Sequence, residues 1–135
     1  MLGEMIGEDQ GKITSVRVLP LNGQSPQTEV SFQSAGNLVG VQTTQVGTYI
    51  STLMPTGVFS GTGQGIVMTQ DGDTATWTGS GVGIPKGKGL AASWRGSIFF
   101  QTTAQRLGGL NKFATMFEFE VDENGNTTGK FWEWK

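Results

Sequence analysis

Along most of this chain apolar and polar residues alternate with a period of two, in runs short enough to be single β-strands. The runs fall at residues 12–21, 28–33, 38–45, 48–53, 65–70, 74–79, 94–102, 113–121 and 127–134. Turn formers separate them: Asn22-Gly23 with Pro26, Ser34-Ala35-Gly36-Asn37, Pro55-Thr56-Gly57, Asp71-Gly72, the stretch from Pro85 to Gly89, and Asn124-Gly125. Residues 103–112 are the best helical stretch, with Leu107 and Leu110 on one side, and Gly108-Gly109 keeps it to a turn or two. The pattern predicts an all-β barrel or sandwich in one domain, residues 1–135, with consecutive strands as antiparallel neighbours.

The most detailed expectation concerns residues 113–135. Taking Asn124-Gly125 as a two-residue turn pairs Val121 with Thr128, Phe119 with Lys130, Phe117 with Trp132 and Thr115 with Trp134. That face is mostly apolar. The other face carries Met116 with Glu133, Glu118 with Phe131 and Glu120 with Gly129, so three carboxylates gather there. A similar turn at Asp71-Gly72 pairs Met68 with Ala75 and Ile66 with Trp77, which puts Trp77 on an apolar face. Both assignments hang on the turn, because a slip of one residue exchanges the faces.

Composition removes much chemistry. The chain has neither cysteine nor histidine, so it supplies no disulfide, thiolate nucleophile, serine-histidine triad or imidazole metal ligand. No metal site is expected. A net charge of −2 with a pI near 5.0 argues against a broad cationic surface for nucleic acid or anionic lipid. Residues 1–10 contain Glu4, Glu8 and Asp9 without a basic start or a long apolar run, which argues against a signal peptide. No apolar stretch is long enough for a membrane helix, and the expected compartment is the cytoplasm. Asn126-Thr127-Thr128 matches a glycosylation sequon but reads better as turn and strand chemistry in that setting.

Four features remain as candidate chemistry. Gly61-Thr62-Gly63-Gln64-Gly65 and Gly79-Ser80-Gly81-Val82-Gly83 lack the spacing and the following helix of nucleotide loops. Their alternate glycines instead clear one strand face, so that a backbone, a Trp ring or a ligand can approach, at a barrel corner or a cavity wall. The carboxylates Glu118, Glu120 and Glu133 can form an acid-base site if crowded and buried, or a solvated exterior. Arg95 can orient an anion from inside a cavity, or serve in an exposed ion pair. Trp77, Trp94, Trp132 and Trp134 all fall on predicted apolar faces, as core or as the lining of a lumen.

The stretch from Gly47-Thr48-Tyr49 through Thr56-Gly57-Val58-Phe59-Ser60-Gly61 to Ile66-Val67-Met68 resembles the middle of allene oxide cyclase-like barrels, a group that includes dirigent-like proteins. The resemblance covers roughly residues 47–78. It implies a single antiparallel β-barrel of about eight strands, often trimeric, with an apolar lumen open at one end and no metal or organic cofactor. The ending Trp132-Glu133-Trp134-Lys135 departs from the plant cyclases and points to a separate branch. Fold is carried over here, and activity is not.

Three functions fit. In the first, a barrel without strong catalysis holds a small apolar or amphipathic ligand in a dry cavity of a few hundred Å³. Trp77, Trp94, Phe117, Phe119 and Trp132 form its wall and Arg95 orients the ligand's polar end. The second is a cofactor-free isomerase or cyclase with Glu29 or Glu118 buried in that cavity. The third is a homo-oligomer, dimer or trimer, with a structural role, whose carboxylate face and barrel ends make the subunit contacts.

Overall fold

The computed structural model describes residues 1–135. Its strands are β1 (Leu2–Asn22), β2 (Ser25–Leu38), β3 (Val41–Leu53), β4 (Phe59–Thr69), β5 (Thr74–Pro85), β6 (Ala92–Gln101), β7 (Ala114–Val121) and β8 (Asn126–Trp134). Each pairs antiparallel with the next, and β8 returns to β1 to close a barrel of eight strands. A 3-10 segment, Gln105–Lys112, joins β6 to β7 and buries Leu107 and Leu110. No helix is long and apolar enough to cross a membrane.

Several boundaries differ from the alternation pattern. β1 begins at Leu2, ahead of the expected residue 12, and the runs 38–45 and 48–53 belong largely to one strand, β3. Of the two residues between those runs, Val46 and Gly47, the glycine is a packing position. A Cβ there would lie 2.6 Å from the Phe32 ring and 3.0 Å from Trp77. The stretch Ser34-Ala35-Gly36-Asn37, expected to turn, is held in β2 by pairing with both β1 and β3, and the turn falls at Val39-Gly40. β4 begins at Phe59 and β5 runs on to Pro85, so that both glycine-rich stretches are strand.

Hairpin register differs as well, and the cause is the same each time. The β4–β5 and β7–β8 loops hold three residues, not two: Thr69 donates its N–H to Asp73 O and Asp122 donates to Asn126 O, while Gly72 and Gly125 donate back to Thr69 O and Asp122 O. Each is a tight turn ending in a left-handed glycine, φ 90° at Gly72 and 81° at Gly125. The β3–β4 loop repeats the design, with Gly57 donating to Met54 O and Met54 to Val58 O. The Asp122 carboxylate supports its loop by accepting from the Asn124 and Asn126 N–H groups.

The added loop residue shifts each pairing by one. Phe117 faces Phe131 and not Trp132, Phe119 faces Gly129, and Gly65 rather than Ile66 faces Trp77. In β7 the inward set Thr115, Phe117, Phe119 and Val121 is as the alternation predicts. In β8 the faces exchange, bringing Thr127, Gly129 and Phe131 inside and leaving Trp132 and Trp134 on the outer face.

The barrel interior is filled by rings seated on glycine. A Cβ on Gly65 would lie 2.4 Å from the Trp77 indole, one on Gly61 2.6 Å from Trp94, and one on Gly83 2.8 Å from Trp94. Such distances are far inside van der Waals contact. Gly61, Gly65 and Gly83 are therefore the surfaces against which the two buried indoles lie flat. Phe32 bridges the halves, its ring 6.5 Å from Trp77 and 5.0 Å from Phe119. One end of the barrel is plugged by Leu107, Leu110 and Leu38, all essentially inaccessible, and an Arg106–Asp71 ion pair ties the plug to the β4–β5 turn. Towards the other end Tyr49, Phe59, Phe117 and Phe119 keep partial exposure.

Adding one methyl group separates packing from conformational preference. Gly65→Ala should destabilise the fold by about 1–3 kcal/mol through overpacking against Trp77. Gly108→Ala, where the added atom meets nothing within 4 Å, should leave the urea midpoint nearly unchanged. Equal midpoints for the two variants would remove the glycine–indole contact as the reason for the pattern.

Candidate functional site

Ring packing leaves a gap of about 70 Å³ in the lumen, bounded by Trp77, Trp94, Ile98, Phe117 and Phe119 and by β4 and β5 glycines. Gly61 pairs with Gly81 and Gly63 with Gly79, so this part of the wall carries no inward side chains. The gap has room for about two waters, at roughly 30 Å³ each. It is well short of the expected few hundred Å³, because the chain's own rings occupy the lumen.

A carboxylate borders this apolar gap: Asp9. β1 sends Gly7, Asp9 and Gly11 inward, and Asp9 is flanked in register by Gly36 of β2 and Gly129 of β8. Glycine is required beside it, since a Cβ on Gly129 would come within 2.5 Å of Asp9 Oδ1. Ser34 Oγ donates to Asp9 Oδ2 at 3.0 Å, and Gln45 Nε2 donates to the same oxygen. Gln45 Oε1 in turn accepts from Trp77 Nε1 at 2.9 Å. Indole, amide, carboxylate and hydroxyl thus form one continuous network across β5, β3, β1 and β2.

Burial pushes the Asp9 pKa above its ordinary value, against the opposing hydrogen bonds from Gln45, Ser34 and the Gly129 backbone. Tyr49 also borders the gap. Its ring stands edge-on to Trp94 at 5.4 Å and to Phe119 at 6.0 Å, and burial pushes its phenol pKa upward. A carboxyl that holds its proton to higher pH than usual can donate or accept a hydrogen bond, or exchange a proton, with a guest in the gap.

The residues singled out by sequence separate into two groups. Trp77, Trp94, Phe117 and Phe119 meet around the gap. Trp132, Arg95, Glu29 and Glu118 do not reach it. The register shift puts Trp132 on the outer face, beside Met116 and Met5. Arg95 is outside as well, 2.9 Å from Glu120 and 3.8 Å from Glu118, with all three about half exposed. Glu29 pairs with Arg17 at 3.1 Å on the outer wall. Nor do the three hairpin carboxylates form a cluster on one face: Glu133 pairs in register with Thr115, on the opposite face from Glu118 and Glu120. No glutamate is buried; the buried carboxylate is Asp9. The signal for Asp9 was an acidic residue spaced two from glycine on either side, Gly7-x-Asp9-x-Gly11.

No family model matches the chain, and no curated protein matches it in sequence. Solved structures share its fold. A protein of unknown function from Clostridium acetobutylicum superposes with a TM-score of 0.82 at 10% identity, covering 98% of each chain. A β-barrel-like protein from Acinetobacter baumannii gives 0.82 at 11% identity, over 100% of this chain and 96% of the other. An enzyme from Penicillium herquei gives 0.69 at 13% identity, over 96% and 92%. At these identities the likeness is one of fold.

The raised pKa fixes the sign of a pH effect. The folded state holds the Asp9 proton more tightly than the unfolded state, whose pKa is near 3.8. The stability linked to Asp9 is therefore full below that value, falls as pH rises through the folded-state pKa, and is constant above it. Urea unfolding of wild type and Asp9→Asn from about pH 3 to about pH 8 should give a stability difference, wild type minus variant, that declines with rising pH. A difference that grows with pH would mean that the hydrogen bonds outweigh burial.

Proposed function

We propose that this barrel binds a compact, mostly apolar molecule with one hydrogen-bonding group, held in the lumen between the glycine wall and the aromatic rings. The observation that carries this reading is the Asp9 carboxylate at the edge of an otherwise apolar gap, the arrangement in which one polar group orients a guest that the hydrophobic effect retains. Asp9 takes the orienting part first given to Arg95. The gap is less than half of the roughly 150 Å³ that holds benzene in an engineered apolar cavity. A ring-sized guest therefore has to displace Phe117 or Phe119, which are only partly buried. The allene oxide cyclase-like resemblance fits this reading, as does a cytoplasmic location, and no cofactor is invoked.

A cofactor-free isomerase is the second reading, favoured by the burial-raised carboxyl beside an apolar gap. In it Asp9 exchanges a proton with the guest. The Penicillium herquei enzyme lends it support at the level of fold alone.

Four tryptophans, two bordering the gap and two on the outer wall, provide an internal control. Titration of ¹⁵N-labelled protein with phenol should give saturable shifts of the Trp77 and Trp94 indole resonances and leave Trp132 and Trp134 in place. Ile98→Phe, which puts a bulkier side chain beside the gap, should abolish the shifts. Absence of saturation, or equal movement of all four indoles, would refute lumen binding.

A further inference from the structure

Charge is segregated around this barrel. β3, β4 and β5 together contain no Asp, Glu, Lys or Arg, in a chain that is 15% charged. From residue 30 to residue 85 the only charged side chains are Asp71 and Asp73, both at the β4–β5 turn. The surface of a soluble domain ordinarily carries charge on about a quarter to a third of its residues. Here the outward positions of three neighbouring strands present hydroxyls, amides and partly exposed Val46, Ile50, Ile66 and Met68. Val46 and Ile66 are direct cross-strand partners, so the apolar groups adjoin. Between them and the flanking strands lies a depression of about 540 Å³, floored where Gly47 pairs with Gly65 and bordered by Thr48 and Gln64. The opposite wall carries the charges, among them Arg95, Glu118, Glu120 and Lys130.

The isolated chain also exposes more surface than its size warrants. Its accessible area is 7659 Å², against about 6,800 Å² for a monomeric protein of 14.4 kDa. That excess belongs to the whole chain, the exposed Val16, Val18 and Leu21 of the β1–β2 hairpin included. We propose that the uncharged outer face of β3, β4 and β5 is a self-association surface, covered by a second copy of this chain. A face without charge does not repel its own copy and offers nothing to steer a charged partner. Depletion of Lys, Glu and Asp is what distinguishes interface cores from the rest of a surface. The proposal differs from an assembly through the carboxylate face, where Glu118 and Glu120 are already engaged by Arg95.

Sedimentation velocity with native mass spectrometry tests it. Wild type should sediment as a dimer or larger closed ring of the 14.4 kDa chain, with the assembly strengthening as concentration rises. Gln64→Glu, a near-isosteric change at an exposed position, should weaken association at least about tenfold by placing like charges in the contact. Ile66→Lys should do the same, with far-UV circular dichroism unchanged in both. Lys130→Gln on the opposite wall should leave the assembly intact. A wild type that is monomeric at every concentration overturns the proposal, and so does an assembly that survives both β4 substitutions while Lys130→Gln dissolves it.

Discussion

A closed barrel of eight strands has an interior of nearly fixed width, and two indoles fit inside this one only because the strands they face have no side chains there. Trp77 lies against Gly65 and Trp94 against Gly61 and Gly83 at distances that exclude any Cβ. The glycines lower the intrinsic strand preference of β4 and β5, and buried aromatic area offsets that loss, each large ring removing on the order of 150–250 Å² from water. Everything else in the lumen takes its place from these rings. Phe32 stacks on Trp77, Tyr49 and Phe59 pack on Trp94, and the remaining gap is what the rings leave unfilled.

The same indole fixes the polar centre. Trp77 Nε1 can only donate, so Gln45 must turn its carbonyl oxygen toward it. That leaves the Gln45 amide N–H groups for Asp9, which accepts from them and from Ser34. A carboxylate in an aromatic lumen is costly to ionise, and three hydrogen-bond donors reduce that cost without removing it, since burial remains the dominant influence on its pKa. Asp9 thus holds its proton to a higher pH than an exposed aspartate does, and it borders the gap that the rings leave.

Much of the architecture was legible in the chain, and the misreadings have physical causes. Period-two alternation and turn residues are local signals, so strand type, the antiparallel order and the short Leu107–Leu110 segment could be read directly. Register was not legible from Asn124-Gly125 or Asp71-Gly72, because both dipeptides suit a two-residue turn and a three-residue loop ending in left-handed glycine. The one-residue difference exchanges the faces of β8 and of β4, moving Trp132 outside and Phe131 inside. Arg95 carried no sign of its outward direction beyond parity, which two anchoring indoles only settle in three dimensions. Asp9 was passed over because the β1 segment before residue 12, with Gly3, Gly7 and three acids, lacks the apolar alternation by which a strand is recognised. Its strand character comes from long-range pairing with β2 and β8.

Inner packing and outer surface meet in the same glycines. Gly47 and Gly65 have no side chains because Phe32 and Trp77 press on them from within. Seen from outside, the backbone of the same pair floors the depression between the outward side chains of the neighbouring strands. The absence of charge on β3, β4 and β5 does not follow from that packing, however. Their outward positions, Thr44, Thr48, Gln64 and Thr76 among them, would accept Lys or Glu without touching the core. Interior constraint accounts for the glycines and not for the neutrality, and a separate demand on the outer face is needed to explain why three adjoining strands avoid every charged residue.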